Sequence, residues 1–175
     1  MQPFIERVMT ILEDRNINWE LVLVGNYMLD TDDETPEIVK KVEKPYPQKI
    51  KTVVRPKEGM MGWDMRSGLE VATGRNIEII DGDGQMPPED VVKIYDILEK
   101  GGFDLVKTCR QKRYDSFWRK IISWIYNFLF VLLFPGTGWW DINSKPKIIT
   151  RRAYELLNLT SDDWFIDAEI MIQAR

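Results

Sequence analysis

The sequence predicts an α/β fold, a single domain whose mostly parallel sheet is flanked by helices. Short apolar runs of strand length alternate with amphipathic or charged runs of helical length, the pattern of strand–helix units. The chain has 175 residues, enough for one core of ordinary size, and neither a repeat nor a low-complexity linker divides it. Its balance of 44% hydrophobic and 30% charged residues is that of a globular chain.

Ile5, Val8, Met9 and Leu12 fall at helical spacing, so residues 3–15 read as a helix. "WELVLV" (19–24) reads as a buried strand. Thr35, Pro36 and Glu37 supply a capping residue, a proline at the first helical position and a first-turn acid, and a helix starts there. "KIKTVV" (49–54) is a strand, and "GWDMRSGLEVATG" (62–74) a helix closed by Gly74. "NIEII" (76–80) is a strand that delivers Asp81. Pro87, Pro88 and Glu89 open a helix to about Lys100, and "DLVKTC" (104–109) is a strand. The character then changes. Residues 107–120 hold six Lys/Arg against one Asp, a local charge of +5 in a chain whose total is −4. The apolar run "IISWIYNFLFVLLF" (121–134) follows, then the loop "PGTGWWDINSKP", a "KIIT" strand, and helices from Arg151 and near Ile166.

Histidine is absent, which removes the usual general base, the usual zinc ligand and the Ser/His and Cys/His nucleophile pairs. Acid–base chemistry falls to carboxylates, lysine, tyrosine or the substrate, and any metal should be a hard one held by oxygen. Cys109 is the only cysteine, so there is no internal disulfide, which fits a reducing compartment. A net charge of −4 gives no chain-wide attraction to nucleic acid. The amino terminus lacks the layout of a signal peptide, and the 14-residue apolar run is shorter than the ~20 residues of a spanning helix.

Asp81 and Asp83 stand one residue apart at a strand's carboxyl end, where ligands sit in open parallel sheets. Their mutual repulsion would be relieved by Mg²⁺ or Mn²⁺, which prefer carboxylate together with diphosphate oxygens. Gly82 and Gly84 would let a ligand approach the backbone. The competing reading is a solvated turn, since Asp and Gly are the commonest turn residues.

"IEIIDGDGQMPPEDV" resembles the "DADLQ.PPE" segment of family 2 glycosyltransferases, particularly the polyprenol-phosphate (dolichol-phosphate) sugar transferases. "GWDMRSGLEVATG" looks like the helix before that strand, with Gly62, Gly68 and Gly74 at the expected spacing. "DLVKTCRQKR" is similar to "D(I/V)V.G.R..R", and "RKIISWIYNFLF" to the "R...S...N.L" helix. "DINSKPKIITRRAYELL" resembles "D.NSGFR...R...", and "DDWFIDAEIMIQA" the closing "G(W/Y).FD.E.....A". These six segments follow in order, and the resemblance covers about residues 3–175.

The resemblance implies a GT-A-like (Rossmann-like) domain over 1–175, with nucleotide sugar and metal at 1–106 and the acceptor at 107–175. It implies inverting transfer of a sugar from a UDP- or GDP-linked donor to a lipid-linked, dolichyl-type phosphate. Asp81 and Asp83 would hold Mg²⁺ or Mn²⁺ on the donor diphosphate with Gln85 nearby, the Lewis-acid role. Arg110 and Arg113, with Asn143 and Ser144, would grip the acceptor phosphate through forked hydrogen bonds. A phosphate oxygen is already an anion and needs no base. A neutral hydroxyl would need one, and Asp167 and Glu169 are the candidates, for that role or for a structural one. The basic run leading into a Trp/Phe/Leu-rich helix suggests a peripheral segment on an anionic cytoplasmic membrane face, against the alternatives of a solvated basic face and a buried helix. No nucleic-acid partner is expected, and a homo-oligomer is left open.

The chain departs from the family pattern in two places. It starts at the helix that follows the family's first strand, "V.VP.YNE", and lacking that strand should leave a sheet edge or gap. Where the second strand usually ends in "VDDGS", this chain has Gly25 and Asn26, and Met61 stands where a Lys between glycines is common. These departures keep a second reading open: a catalytically impaired or truncated relative that acts as a membrane-surface or protein-binding subunit.

Overall fold

The computed structural model describes residues 1–110, 117–136 and 141–175, apart from the side chains of 117, 119 and 120. The chain opens with α1 (Gln2–Asp14), whose Ile5, Val8 and Met9 are buried at the expected helical spacing. β1 (Leu21–Val24), α2 (Thr35–Glu43) and β2 (Ile50–Val53) follow. β1 and β2 pair in parallel, Leu21 opposite Ile50 and Val24 opposite Val53. Trp19, Leu23, Val39, Val42 and Ile50 close this half around α1. Thr35 is the first helical residue rather than the cap, and its N–H donates to the Asp33 carboxylate at 2.9 Å.

The second half contains α3 (Met61–Leu69), β3 (Asn76–Ile79), α4 (Glu89–Glu99), β4 (Leu105–Lys107), α5 (Phe117–Leu133), β5 (Lys147–Thr150), α6 (Arg151–Tyr154) and α7 (Ile166–Gln173). α3 ends at Leu69, five residues before the expected stop at Gly74. The Glu20 carboxylate captures the N–H groups of Thr73 and Gly74, the latter at 2.7 Å, so this stretch is tied to the start of β1 instead of continuing the helix.

β3, β5 and β4 form a second sheet in that order, with β5 antiparallel to both neighbours. β3 and β4 therefore run in the same direction, as the strand–helix alternation predicts. β5 reverses because thirteen residues separate it from α5, enough for the chain to enter from the opposite end, and antiparallel neighbours need no helical crossover. The predicted mostly parallel sheet is thus a parallel pair and an antiparallel triplet, and among the described residues β1 and β3 do not pair with each other.

One face of the triplet packs on α3 and α7 through Met65, Leu69, Ile77, Ile149, Ile166 and Ile170. The other packs on α4 through Ile94, Leu98 and Ile148. Glu78 lies opposite Ile148 in the ladder and so faces the α4 side. Its carboxyl Oε1 is buried with no hydrogen-bond partner among the described residues, and burial pushes the group's pKa up to about 9. Phe130, Ile142 and Ala168 anchor α5 to α7.

Candidate active site

β3 ends just before Asp81, whose side chain is about half exposed at 47%. The turn beyond it is an Asx turn: the Gln85 N–H donates to Asp83 Oδ1 at 2.9 Å, and Gly84 takes φ +72°, which a side chain would resist. Asp83 and Gln85 are exposed. Extending the β3–β5 register by two residues places Lys145 across from Asp81. The Lys145 side chain is only 3% exposed, and its Nζ lies 2.8 Å from Asp81 Oδ1, 3.4 Å from Asp167 Oδ2 and 3.3 Å from Met61 Sδ.

Asp167 stands in the first turn of α7, a favourable place for an anion, and is almost wholly buried. Its other oxygen accepts a hydrogen bond from Lys147 Nζ, itself buried at the start of β5. Burial pushes the Lys147 ammonium down in pKa, and Asp167 opposes that shift. The result is an alternating line of charges, Asp81–Lys145–Asp167–Lys147, that begins half in solvent and ends in the core. Buried charges persist when paired, and here each has an opposite neighbour.

Asp167 and Glu169, both of the closing motif, are put to separate uses. Glu169 accepts from the Thr160 N–H and hydroxyl and from the Ser161 N–H at 2.9–3.1 Å, pinning the loop before α7. Burial pushes its pKa up, but the bonds from Ser161 and Thr160 more than offset this and hold the carboxyl below its ordinary value. Its oxygens serve that loop and not the Asp81 line.

In the segment expected to meet the acceptor, Arg110 makes a forked ion pair with the buried Asp141, Nε at 2.7 Å and Nη2 at 2.6 Å, and its backbone N–H donates to the same carboxylate. Ser144 is fully buried; its hydroxyl donates to the Thr108 carbonyl and accepts from Lys107 Nζ at 3.3 Å. Asn143 is exposed on the same turn. Arg113 lies outside the described residues. Thr108 Oγ1 donates to the Lys145 carbonyl at 2.8 Å, so the strand carrying Arg110 and the turn carrying Ser144 meet beside the Asp81 line.

The sequence reading missed Lys145, Lys147 and Asp141. One signal for Lys145 was available, since it stands where the resembling segment reads glycine. The structure brings its ammonium to Met61, the residue that occupies the usual lysine position. At the end of β1, Asn26 Nδ2 donates to Asp64 at 3.0 Å and to Ser67 at 2.9 Å, and its Oδ1 accepts from the Arg55 N–H. A Cβ at Gly25 would lie 2.6 Å from Val39 Cγ2, so an acid there must displace the Val39 side chain.

α5 presents Trp118, Ile122, Trp124, Phe128, Leu132 and Leu133 largely to solvent, with Trp124 stacked on Phe128 at 5.6 Å. Among the described residues no helix is long and apolar enough to cross a membrane.

The chain belongs to glycosyl transferase family 2, whose model matches residues 2–172. It is 31% identical over 128 residues to dodecaprenyl-phosphate galacturonate synthase of Rhizobium johnstonii, covering 73% of this chain and 37% of that protein. It is 29% identical over 129 residues to undecaprenyl-phosphate 4-deoxy-4-formamido-L-arabinose transferase of Salmonella choleraesuis, and equally so to that of Salmonella typhimurium, covering 74% of this chain and 38% of each relative. The chain spans less than two-fifths of the length of these curated relatives.

Proposed function

We propose that this chain transfers a sugar, with inversion, from a UDP- or GDP-linked donor to a polyprenyl phosphate at a membrane surface. The observation that carries the reading is the convergence at the carboxyl end of β3. There a half-exposed Asp81 pairs with buried Lys145, the residue after Ser144, and Asp83 stands exposed on the adjoining turn. The names of the relatives, a dodecaprenyl-phosphate synthase and an undecaprenyl-phosphate transferase, support the acceptor class.

Among the described residues no three acidic or cysteine side chains gather as a self-sufficient metal cage. Two carboxylates on a strand-end turn do suit Mg²⁺ or Mn²⁺ when diphosphate oxygens complete the shell. Asp81 and Asp83 would then hold the ion, with Gln85 beside them, and it would neutralise charge on the departing nucleoside diphosphate. Exposed Asn143, and Arg113 by sequence, would meet the acceptor phosphate, whose oxygen attacks as an anion, while Arg110, forked onto Asp141, and buried Ser144, bonded to Thr108 and Lys107, would brace the turn that presents them. Asp167 is committed to two lysines, which suits positioning of those ammonium groups better than abstraction of a proton. The exposed apolar side of α5, following the basic run, fits peripheral association with an anionic cytoplasmic leaflet where the lipid acceptor resides.

Calorimetric titration with UDP- and GDP-sugars, with and without Mn²⁺, tests the donor half. One nucleotide class should bind in a metal-dependent way, and folded protein that binds none of them would sink the enzyme reading. Flotation with vesicles should require anionic lipid and weaken with salt; binding indifferent to both would reject the membrane placement. A second reading, a binding subunit with impaired catalysis, is favoured by Gly25 and Asn26. The acidic pair of the family pattern is replaced there by groups consumed in structural contacts.

A further inference from the structure

We infer that Lys145 is the resident counter-ion of the donor site. It holds Asp81 until a metal–diphosphate pair arrives, which makes metal capture depend on the nucleotide. This deepens the donor reading above and rests on it. The Lys145 ammonium lies 2.8 Å from the carboxylate that a divalent cation would need, a charge-assisted contact that any cation must displace. The lysine stays within the site, free only to shift between neighbouring anions, since its side chain is 3% exposed and its backbone carbonyl is held by Thr108. Its nearest alternative partner is Asp167 Oδ2 at 3.4 Å, already neutralised on the other oxygen by Lys147.

A metal that arrived alone would therefore create a net positive knot. Two ammonium groups would share one carboxylate beside a doubly charged ion, in a partly desolvated place where such repulsion is poorly screened. A diphosphate cures this. It brings negative charge to metal and lysine together, so Lys145 passes from Asp81 to a phosphate oxygen while the metal takes the carboxylate. Metal and nucleotide should consequently bind synergistically, each weakly by itself. Lys145 is a positioning and binding residue in this scheme; it moves no proton. No bond is made or broken.

The test uses Mn²⁺ as probe, followed by electron paramagnetic resonance of the free ion, with and without UDP and GDP. The parent protein should bind Mn²⁺ weakly alone and at least about tenfold more tightly with one nucleotide, the size of one displaced close ion pair in a partly solvated site. Lys145→Met keeps the apolar stem and leaves Asp167 paired to Lys147, so the fold should persist, as a melting curve will verify. It should bind Mn²⁺ alone at least about tenfold more tightly than the parent and lose most of the nucleotide synergy. Lys145→Gln, a smaller perturbation, should shift in the same direction and serves if the methionine variant does not fold. If the parent shows synergy but both variants keep its Mn²⁺ affinity, the role of Lys145 is overturned and the donor site stands. If no protein binds Mn²⁺ with either nucleotide, the donor reading falls as well.

Discussion

The two halves of the molecule treat buried polarity in opposite ways. Around β1 and β2 the buried polar side chains are neutral and spent on architecture. Asn26 uses both ends of its amide to join β1 to α3 and to the stretch after β2, and Ser67 is bonded to it. Around β3, β5 and β4 the chain buries full charges instead: Asp141, Lys145, Lys147, Asp167 and Glu169. Each half leaves one buried side-chain atom without a hydrogen bond among the described residues. In the first it is the neutral indole N–H of Trp19, in the second a carboxyl oxygen of Glu78. Buried neutral groups that are fully bonded stabilise modestly; buried charges rarely improve on an apolar core and persist where something else requires them. The charged half is the one that carries the candidate site.

The comparison can be broken most forcefully at the end of β1. If Gly25 and Asn26 are structural, restoring an acid there should not recreate a nucleotide contact but should damage the fold. In Gly25→Asp the new Cβ would sit 2.6 Å from Val39 Cγ2 and 3.3 Å from the Thr35 carbonyl oxygen, with a carboxylate pressed toward an apolar helix. Overpacking and an unpaired buried charge together should cost about 3 kcal/mol or more. For a chain of this size that lowers the melting temperature by roughly 6–12 °C. A variant that melts with the parent would mean that Val39 gives way easily and that the strand end is free to serve a ligand.

Much of this contrast could be read from the sequence, and its limits have physical causes. Helix and strand positions followed from apolar spacing and from Pro and Gly punctuation, because those signals are local. The early end of α3 did not, since what stops the helix is Glu20, 53 residues before Thr73 in the chain, taking the Thr73 and Gly74 N–H groups. The antiparallel entry of β5 was also hidden, because a helix followed by a long connection fixes no direction. Asp81 and Asp83 were legible as a turn at a strand end, for the same local reasons. Lys145 was not, because its role comes from the β3–β5 register, a pairing between segments 64 residues apart. Arg110 was legible as a cation but not as the partner of Asp141, for that reason too.

A smaller effect sharpens the comparison on the charged side, at Glu78. Its folded-state pKa is raised by burial to about 9 from an ordinary 4.5, so the native state holds a proton that the unfolded chain releases. Stability is then greatest below pH 4.5 and declines as pH rises toward 9, since across that window the folded form binds more protons than the unfolded one. Glu78→Gln removes the titration while keeping the shape. The variant should match the parent in acid and gain on it steadily with pH, reaching about 1–3 kcal/mol at pH 7 at the ~1.4 kcal/mol that each pH unit can contribute. Denaturant melts at pH 5, 7 and 8.5 would show the difference widening. Parallel curves would mean that Glu78 is ionised in the native fold and has a cation beside it, and the charged half would then hold no unpartnered carboxyl at all.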